Sequence, residues 1–251
     1  MGRNTTFCRG LKFLQLLFKA ANRRLALFRW LNELVDFSQS PLAGRVHRSI
    51  MWAKLRTLAD YVRFSQYEDA LASFELVALM APLVRDKPQY WKWVIVSAHN
   101  ALQSAMVCAY ADITTGDSTG TSVLTEKSAE KVLAWLSTAT PGLYPKERLA
   151  DFPELLKRCV AGKPNFEPLV LTPKQHKDIE RLHDVFRNNF VHFTPKGWSI
   201  QKAGLPRIIC AALDAAEELM HRSYVSFQID DDQQKRLTDA LAVARKHLSI
   251  T

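Results

Sequence analysis

Apolar residues recur at intervals of three and four along nearly the whole chain of 251 residues, and this spacing restricts the fold more than any other feature. Such intervals place apolar side chains on one face of an α-helix, whereas a half-buried strand needs strict alternation. The sequence therefore predicts an all-α fold, a helical bundle of about eight helices without a confident strand. The predicted helices beyond residue 65 cover about 66–83, 88–111, 125–140, 146–161, 173–194, 206–220 and 232–248.

One helix has a strong start signal, which is the segment Thr172-Pro173-Lys174-Gln175. Threonine is a preferred N-cap, proline suits the first helical position, and glutamine at the third position completes a capping box. The apolar row of this helix runs through Ile179 and Phe190. The helix should end before Pro195, because the residue that precedes a proline avoids helical geometry.

The positive charge is concentrated near the N-terminus. Residues 1–63 contain 12 Lys and Arg against 3 Asp and Glu, whereas residues 64–251 contain 22 of each. We therefore expect a basic amphipathic extension, 1–50, followed by a helical domain, 51–251. The extension has three interpretations: an additional packed helix, a segment that contacts RNA or an anionic membrane, or upstream translation with Met51 as the true start.

Several functional classes find no support in the sequence. It contains no phosphate-binding GxxxxGK[ST] loop, no GxGxxG fingerprint, no HExxH and no GxSxG. The cysteines are scattered without a CxxC pair, so neither a zinc site nor a disulfide framework is indicated. The charge-free run 93–111 carries too many polar groups for a membrane span, and we interpret it as a buried core helix. We expect a cytoplasmic protein that needs no cofactor or metal.

A compact polar cluster, Arg187-Asn188-Asn189-Phe190-Val191-His192, lies near the end of the helix that begins after Thr172. Arginine binds phosphate and stays charged, while histidine exchanges a proton near neutral pH. Together they suffice for RNA cleavage without metal, since histidine handles the protons and arginine stabilises charge at phosphorus. Five residues on a regular helix separate two side chains by about 140°, so Arg187 and His192 meet only if the helix distorts or ends, or if two chains combine. The alternative is structural: Arg187 pairs with Glu180 or Asp184, and His192 caps the helix.

This R-x4-H element, with Asn188 directly after the arginine, resembles the motif of the HEPN superfamily. The segments 187–200 and 91–103 are similar to the motif region and an earlier helix of bacterial HEPN-like proteins of unknown role. The resemblance implies a four- to five-helix core and a metal-independent endoribonuclease, of the kind found in toxin–antitoxin, CRISPR and anti-phage systems. Other members are non-catalytic dimerisation or partner-binding modules.

Carried onto this chain, the resemblance makes His192 the general acid/base, Arg187 the phosphate and transition-state contact, and Asn188 an orienting donor. In this superfamily the site usually forms where two motifs face each other across a dimer. The implied partners are therefore RNA, a second copy of the chain, and an antitoxin or other partner protein.

Further polar residues are candidates for substrate binding. Lys196 would contact phosphate and Trp198 would stack on a base, although Trp198 also suits a lid on the bundle. His99 and Asn100 either point toward the motif or belong to a buried hydrogen-bonded network. The residues His176, Glu180 and His183 share a helix face at metal-ligand spacing, but no fourth ligand is apparent and we predict no metal there.

Overall fold

The computed structural model describes residues 64–111, 119–138, 143–192, 197–222 and 229–249. In these residues the chain is helical and forms no named strand, only the isolated bridges Leu124–Leu149 and Lys163–Phe166. The prediction of an all-α fold is confirmed, and its estimate of about eight helices is roughly right. The extension 1–50, the candidate start Met51 and the other residues before 64 lie outside the described residues. The α-helices are α1 (Gln66–Met80), α2 (Trp91–Tyr110), α3 (Glu126–Ser137), α4 (Phe152–Ala161), α5 (Pro173–Arg181), α6 (Asn188–Val191), α7 (Leu205–Met220) and α8 (Asp231–Leu248).

Helix α2 is the centre of the bundle. Its buried surface includes four alanines without exposed area, Ala98, Ala101, Ala105 and Ala109. Because alanine side chains are short, α1 and α7 pack closely on two sides of α2. Helix α8 then packs on α1, and α5 packs on α7. The run 93–111 is therefore a core helix, as its polar content predicted.

Two acidic side chains, the buried Asp178 and the exposed Asp69, connect neighbouring helices. The buried Asp178 of α5 accepts a hydrogen bond from Arg207 of α7 at 2.9 Å. Asp69 of α1 accepts a hydrogen bond from the hydroxyl of Ser104 on α2. A buried carboxylate without such a donor would be costly, so the bond to Asp178 favours one alignment of α5 and α7.

The segment before α4 differs from the expectation. The periodicity predicted a helix over 146–161, but α4 begins only at Phe152. The Asp151 side chain accepts a hydrogen bond from the Glu154 amide at 3.0 Å, and Pro153 occupies the first turn. Residues 143–150 form no helix, and Leu149 bridges to Leu124. The N-cap and the proline therefore outweigh the apolar spacing.

The Thr172 capping box is confirmed. The Gln175 amide donates to the Thr172 hydroxyl at 3.2 Å, and the Gln175 side chain accepts from the Thr172 amide at 3.0 Å. Thr125 begins α3 without any side-chain capping bond. The two threonines are thus a matched pair of N-caps.

We expect Thr172→Ala to lower the free energy of unfolding by about 1 kcal/mol, because it removes a capping bond at the start of α5. Thr125→Ala is the control, and we expect a change of a few tenths of a kcal/mol. Urea unfolding followed by circular dichroism measures both variants. Equal losses for the two substitutions would contradict the role of the capping box.

Candidate functional site

The candidate motif lies on one continuous helical segment that changes geometry twice. Helix α5 runs into a π-helical turn, Leu182–Arg187, and α6 follows at Asn188. In the π turn the Asn188 amide donates to the carbonyl of His183, five residues earlier. Turns of this type are rare and occur frequently at functional sites.

The π turn keeps one apolar row facing the core. Leu182, Phe186 and Phe190 are spaced by four, and in a regular α-helix each such step rotates the side chain by about 40°. The wider turn offsets that drift, so that Leu182 and Phe186 are both buried and Phe190 is half-buried. The extra residue in the turn also changes the direction of Arg187 relative to α5.

Arg187 lies half-buried at the end of the π turn. Its Nη1 donates to the side-chain oxygen of Asn188 at 3.1 Å, so the structure brings these two candidate site residues together. Its Nε is buried and has no hydrogen-bond partner among the described residues. No ion pair joins Arg187 to Glu180 or Asp184 in that part of the chain, which removes the support for a purely structural helix-face pair.

A pair of histidines lies beside Arg187. Nε2 of His99 on α2 and Nδ1 of His183 in the π turn are 2.9 Å apart and share a hydrogen bond. The Phe152 ring of α4 covers both imidazoles, with centroids 4.3 Å from His99 and 4.7 Å from His183. His99 is completely buried, whereas His183 is partly exposed. The pair therefore connects the core helix to the motif helix.

The environment keeps His99 uncharged. Its pKa is lowered to about 3, chiefly because burial disfavours the imidazolium, with His183 and then Arg187 acting in the same direction. Burial also lowers the pKa of His183, and Arg187 contributes to that shift while Asp184 opposes it. In both cases the Arg187 cation disfavours the imidazolium, so its charge lies close enough to act on the histidine pair.

His192 lies where α6 ends, at φ −103° and ψ 44°, and its amide donates to the Asn188 carbonyl at 2.9 Å. The residue is exposed, and no hydrogen bond or ion pair joins its ring to Arg187 within the described part of one chain. Because the π turn ends at Arg187, it leaves the roughly 140° between the two side chains in place. Arg187 faces inward and His192 is on the surface.

The candidate substrate-binding residues lie in different environments. His99 is buried, as the network interpretation expects, while the adjacent Asn100 is exposed because neighbouring helical residues diverge by about 100°. Trp198 packs edge-to-face on Phe190 at 4.7 Å, which matches a lid. It also lines a surface pocket of about 400 Å³ with Trp91 and Lys92. Lys196 lies outside the described residues.

The face that carries His176, Glu180 and His183 lines a different pocket. His176 Nε2 lies 3.3 Å from Glu180 Oε1, while His183 directs one nitrogen to His99. The described residues contain no group of three or more His, Cys, Asp or Glu side chains placed to hold a metal ion. The pocket has a volume of about 460 Å³, and its other wall is the apolar surface of α4.

Sequence reasoning missed the partnership of His183 with His99 and the stacking of Phe152 on both. These residues come from three helices, and 84 positions separate the two histidines. A buried histidine on a core helix indicates that a polar partner exists, but helical periodicity does not identify that partner.

The neutral state of His99 predicts a pH-dependent stability. In the unfolded chain His99 takes up a proton below its ordinary pKa of 6.5, whereas the folded protein resists protonation down to about pH 3. Stability should therefore fall as the pH drops from 6.5 toward 3, by up to about 1.4 kcal/mol per pH unit from this group.

The measurement is urea unfolding at pH 5, 6 and 7. His99→Phe removes the titrating group and should weaken the pH dependence. His221→Gln, at an exposed position, should leave it near that of the unchanged protein. An identical pH dependence in the unchanged protein and His99→Phe would contradict a buried neutral imidazole.

The function has to be inferred from these residues, because comparisons with known proteins give no match. No family model, curated protein or solved structure matches the chain. Within the described residues, no helix combines the length and the apolar character that a membrane crossing requires.

Proposed function

We propose that this chain is a metal-independent endoribonuclease of HEPN type that works as a homodimer in the cytoplasm. One observation carries the proposal: a π turn orients Arg187 at the motif, and the same helical segment ends at an exposed His192. An unusual turn followed by a helix end gives the R-x4-H element a conformation that a surface ion pair would not require.

The chemistry follows from the two side chains. His192 takes the proton of a ribose 2′-hydroxyl, and the resulting oxygen attacks the adjacent phosphorus. The bond from phosphorus to the 5′-oxygen breaks, and that oxygen receives a proton from the imidazolium. The products are a 2′,3′-cyclic phosphate and a free 5′-hydroxyl. Arg187 stabilises the negative charge on the phosphoryl oxygens, and Asn188 orients the guanidinium through their hydrogen bond.

A dimer would bring together Arg187 and His192, which are separated within one chain. In a two-fold assembly, residue i of one copy faces residue j of its partner, so the inward Arg187 of one chain and the exposed His192 of another can share a substrate. Val185 and Val191 flank Arg187 in the sequence, and they expose 42% and 46% of their surface. These valines supply apolar contact area for a second copy beside the motif.

RNA must be attracted by a local patch, because the basic and acidic residues of 64–251 are equal in number. Helix α5 supplies such a patch: the exposed Lys174, Lys177 and Arg181 recur at intervals of three and four along one flank. Cations in this arrangement neutralise successive phosphates of a strand. The basic extension 1–50 and Lys196 are further candidates for contacts with RNA.

The second candidate function is a non-catalytic HEPN-like module that dimerises or binds a partner protein. The exposed Val185 and Val191 favour an interface here, and the lack of a contact between Arg187 and His192 in one chain is compatible with it. In either case the role we propose is in a toxin–antitoxin or anti-phage system, with RNA or an antitoxin as the partner.

Cleavage of single-stranded RNA in EDTA tests the enzyme. We expect activity without added metal and a loss of about a hundredfold or more in His192→Ala and Arg187→Ala, because each removes a group from the transition state. The controls His221→Ala and Arg85→Ala replace exposed residues outside the motif and should retain activity. Unchanged cleavage in the motif variants, or a requirement for metal, would reject the assignment.

A mixing experiment tests the shared site. Refolding Arg187→Ala together with His192→Ala in equal amounts should restore up to about a quarter of the original activity. Half of the dimers are then mixed, and each mixed dimer holds one intact pair. An inactive mixture, with mixed dimers shown by native mass spectrometry, would contradict a site that combines two chains.

A further inference from the structure

The pocket between α4 and α5 has the walls of a site for a planar polar ring. It is lined on one side by Phe152, Leu156 and Val160, and on the other by His176, Glu180 and His183. A volume of about 460 Å³ falls within the range of small-molecule sites, which are typically apolar clefts with a few placed polar groups. The chain therefore has a candidate ligand site that is distinct from the Arg187–His192 pair.

The pocket adjoins the motif directly. His183 and Asp184 line it from within the π turn, and Arg187 ends the same turn. The hydrogen bond to His99 and the stacking of Phe152 hold the His183 ring in place. A ligand in the pocket therefore lies beside a fixed wall, one helical turn from the residue proposed to contact the scissile phosphate.

The charges of the pocket disfavour a phosphate inside it. Glu180 and Asp184 contribute two carboxylates, against the single cation Lys157 among the lining residues. Carboxylates accept hydrogen bonds, so the preferred ligand presents N–H donors. The cations Lys174, Lys177 and Arg181 lie on the other flank of α5 and are placed to hold phosphates while the base enters the pocket.

We propose that this pocket binds a guanine base of the single-stranded RNA substrate, with Glu180 as the residue that determines specificity. Guanine is the one standard RNA base whose Watson–Crick edge has two adjacent N–H donors, and these match the two oxygens of a carboxylate. His176 lies 3.3 Å from one of those oxygens and orients the group. The apolar surface of α4 contacts the face of the ring. This inference rests on the proposed function, since it names the base that the ribonuclease selects.

Binding is measured on the full chain carrying His192→Ala, which blocks cleavage. The probes are fluorescent oligouridine nonamers with a single central G, A or C, followed by anisotropy. We expect the G-containing probe to bind about tenfold more tightly than the others, as for a good bidentate base contact. Equal binding of all three probes would overturn the inference.

The substitution Glu180→Gln makes the test sharper. An amide offers one donor and one acceptor, which suit adenine, so this variant should lose the preference for G and gain affinity for the A probe. Glu130→Gln, an exposed glutamate on α3, is the matched control and should keep the preference. Ala161→Phe, at the pocket rim, should weaken the G probe by filling the site without touching Glu180. A preference for G that survives both Glu180→Gln and Ala161→Phe would overturn the inference.

Two further measurements separate the sources of failure. Binding of guanosine monophosphate at Glu180, combined with equal binding of the three RNA probes, would overturn RNA as the source of the base. Cleavage in EDTA is scored independently. Cleavage without selection for G leaves the nuclease in place and removes the pocket, whereas selective binding without cleavage supports the pocket and rejects the nuclease.

Discussion

The hydrogen bond between His99 and His183 is the contact on which the arrangement of the site depends. It joins the most buried helix of the bundle to the turn that precedes the motif, and Phe152 seals it from a third helix. A buried imidazole must be paired or left at a cost, so this bond favours one rotation of the motif helix about its axis. The inward direction of Arg187 and the pocket at His183 both follow from that rotation.

Much of the fold could be predicted because its signals are local. The Thr172 capping box, the polar content of 93–111 and the recurrence of apolar residues all act within a few turns of helix. The predicted start of α4 was wrong by several residues. The apolar spacing extended the expected helix to residue 146, but the N-cap Asp151 and Pro153 outweigh that spacing. Local signals therefore predict elements better than their ends.

The site was less accessible to sequence reasoning. The segment around Arg187 stands out as a polar cluster, yet its environment depends on helices that are distant in sequence. Neither the π turn nor the partnership of His183 with His99 has a short-range signature. The metal-like spacing of His176, Glu180 and His183 has a different structural meaning, since one of these histidines faces the core and all three line a pocket. Residue types limit the chemistry that is available to the site, whereas the directions of the side chains depend on the tertiary contacts.

The π turn has a consequence for how this motif evolves and how it should be recognised. Because the turn holds one surplus residue, substitutions that made the same residues wind as an ordinary α-helix would rotate everything downstream by about 100°. The sequence from Arg187 to His192 would then be unchanged, but its side chains would face different neighbours. Homologous chains should therefore be compared by the rotation of the upstream helix relative to the motif, and not only by the sequence of the motif.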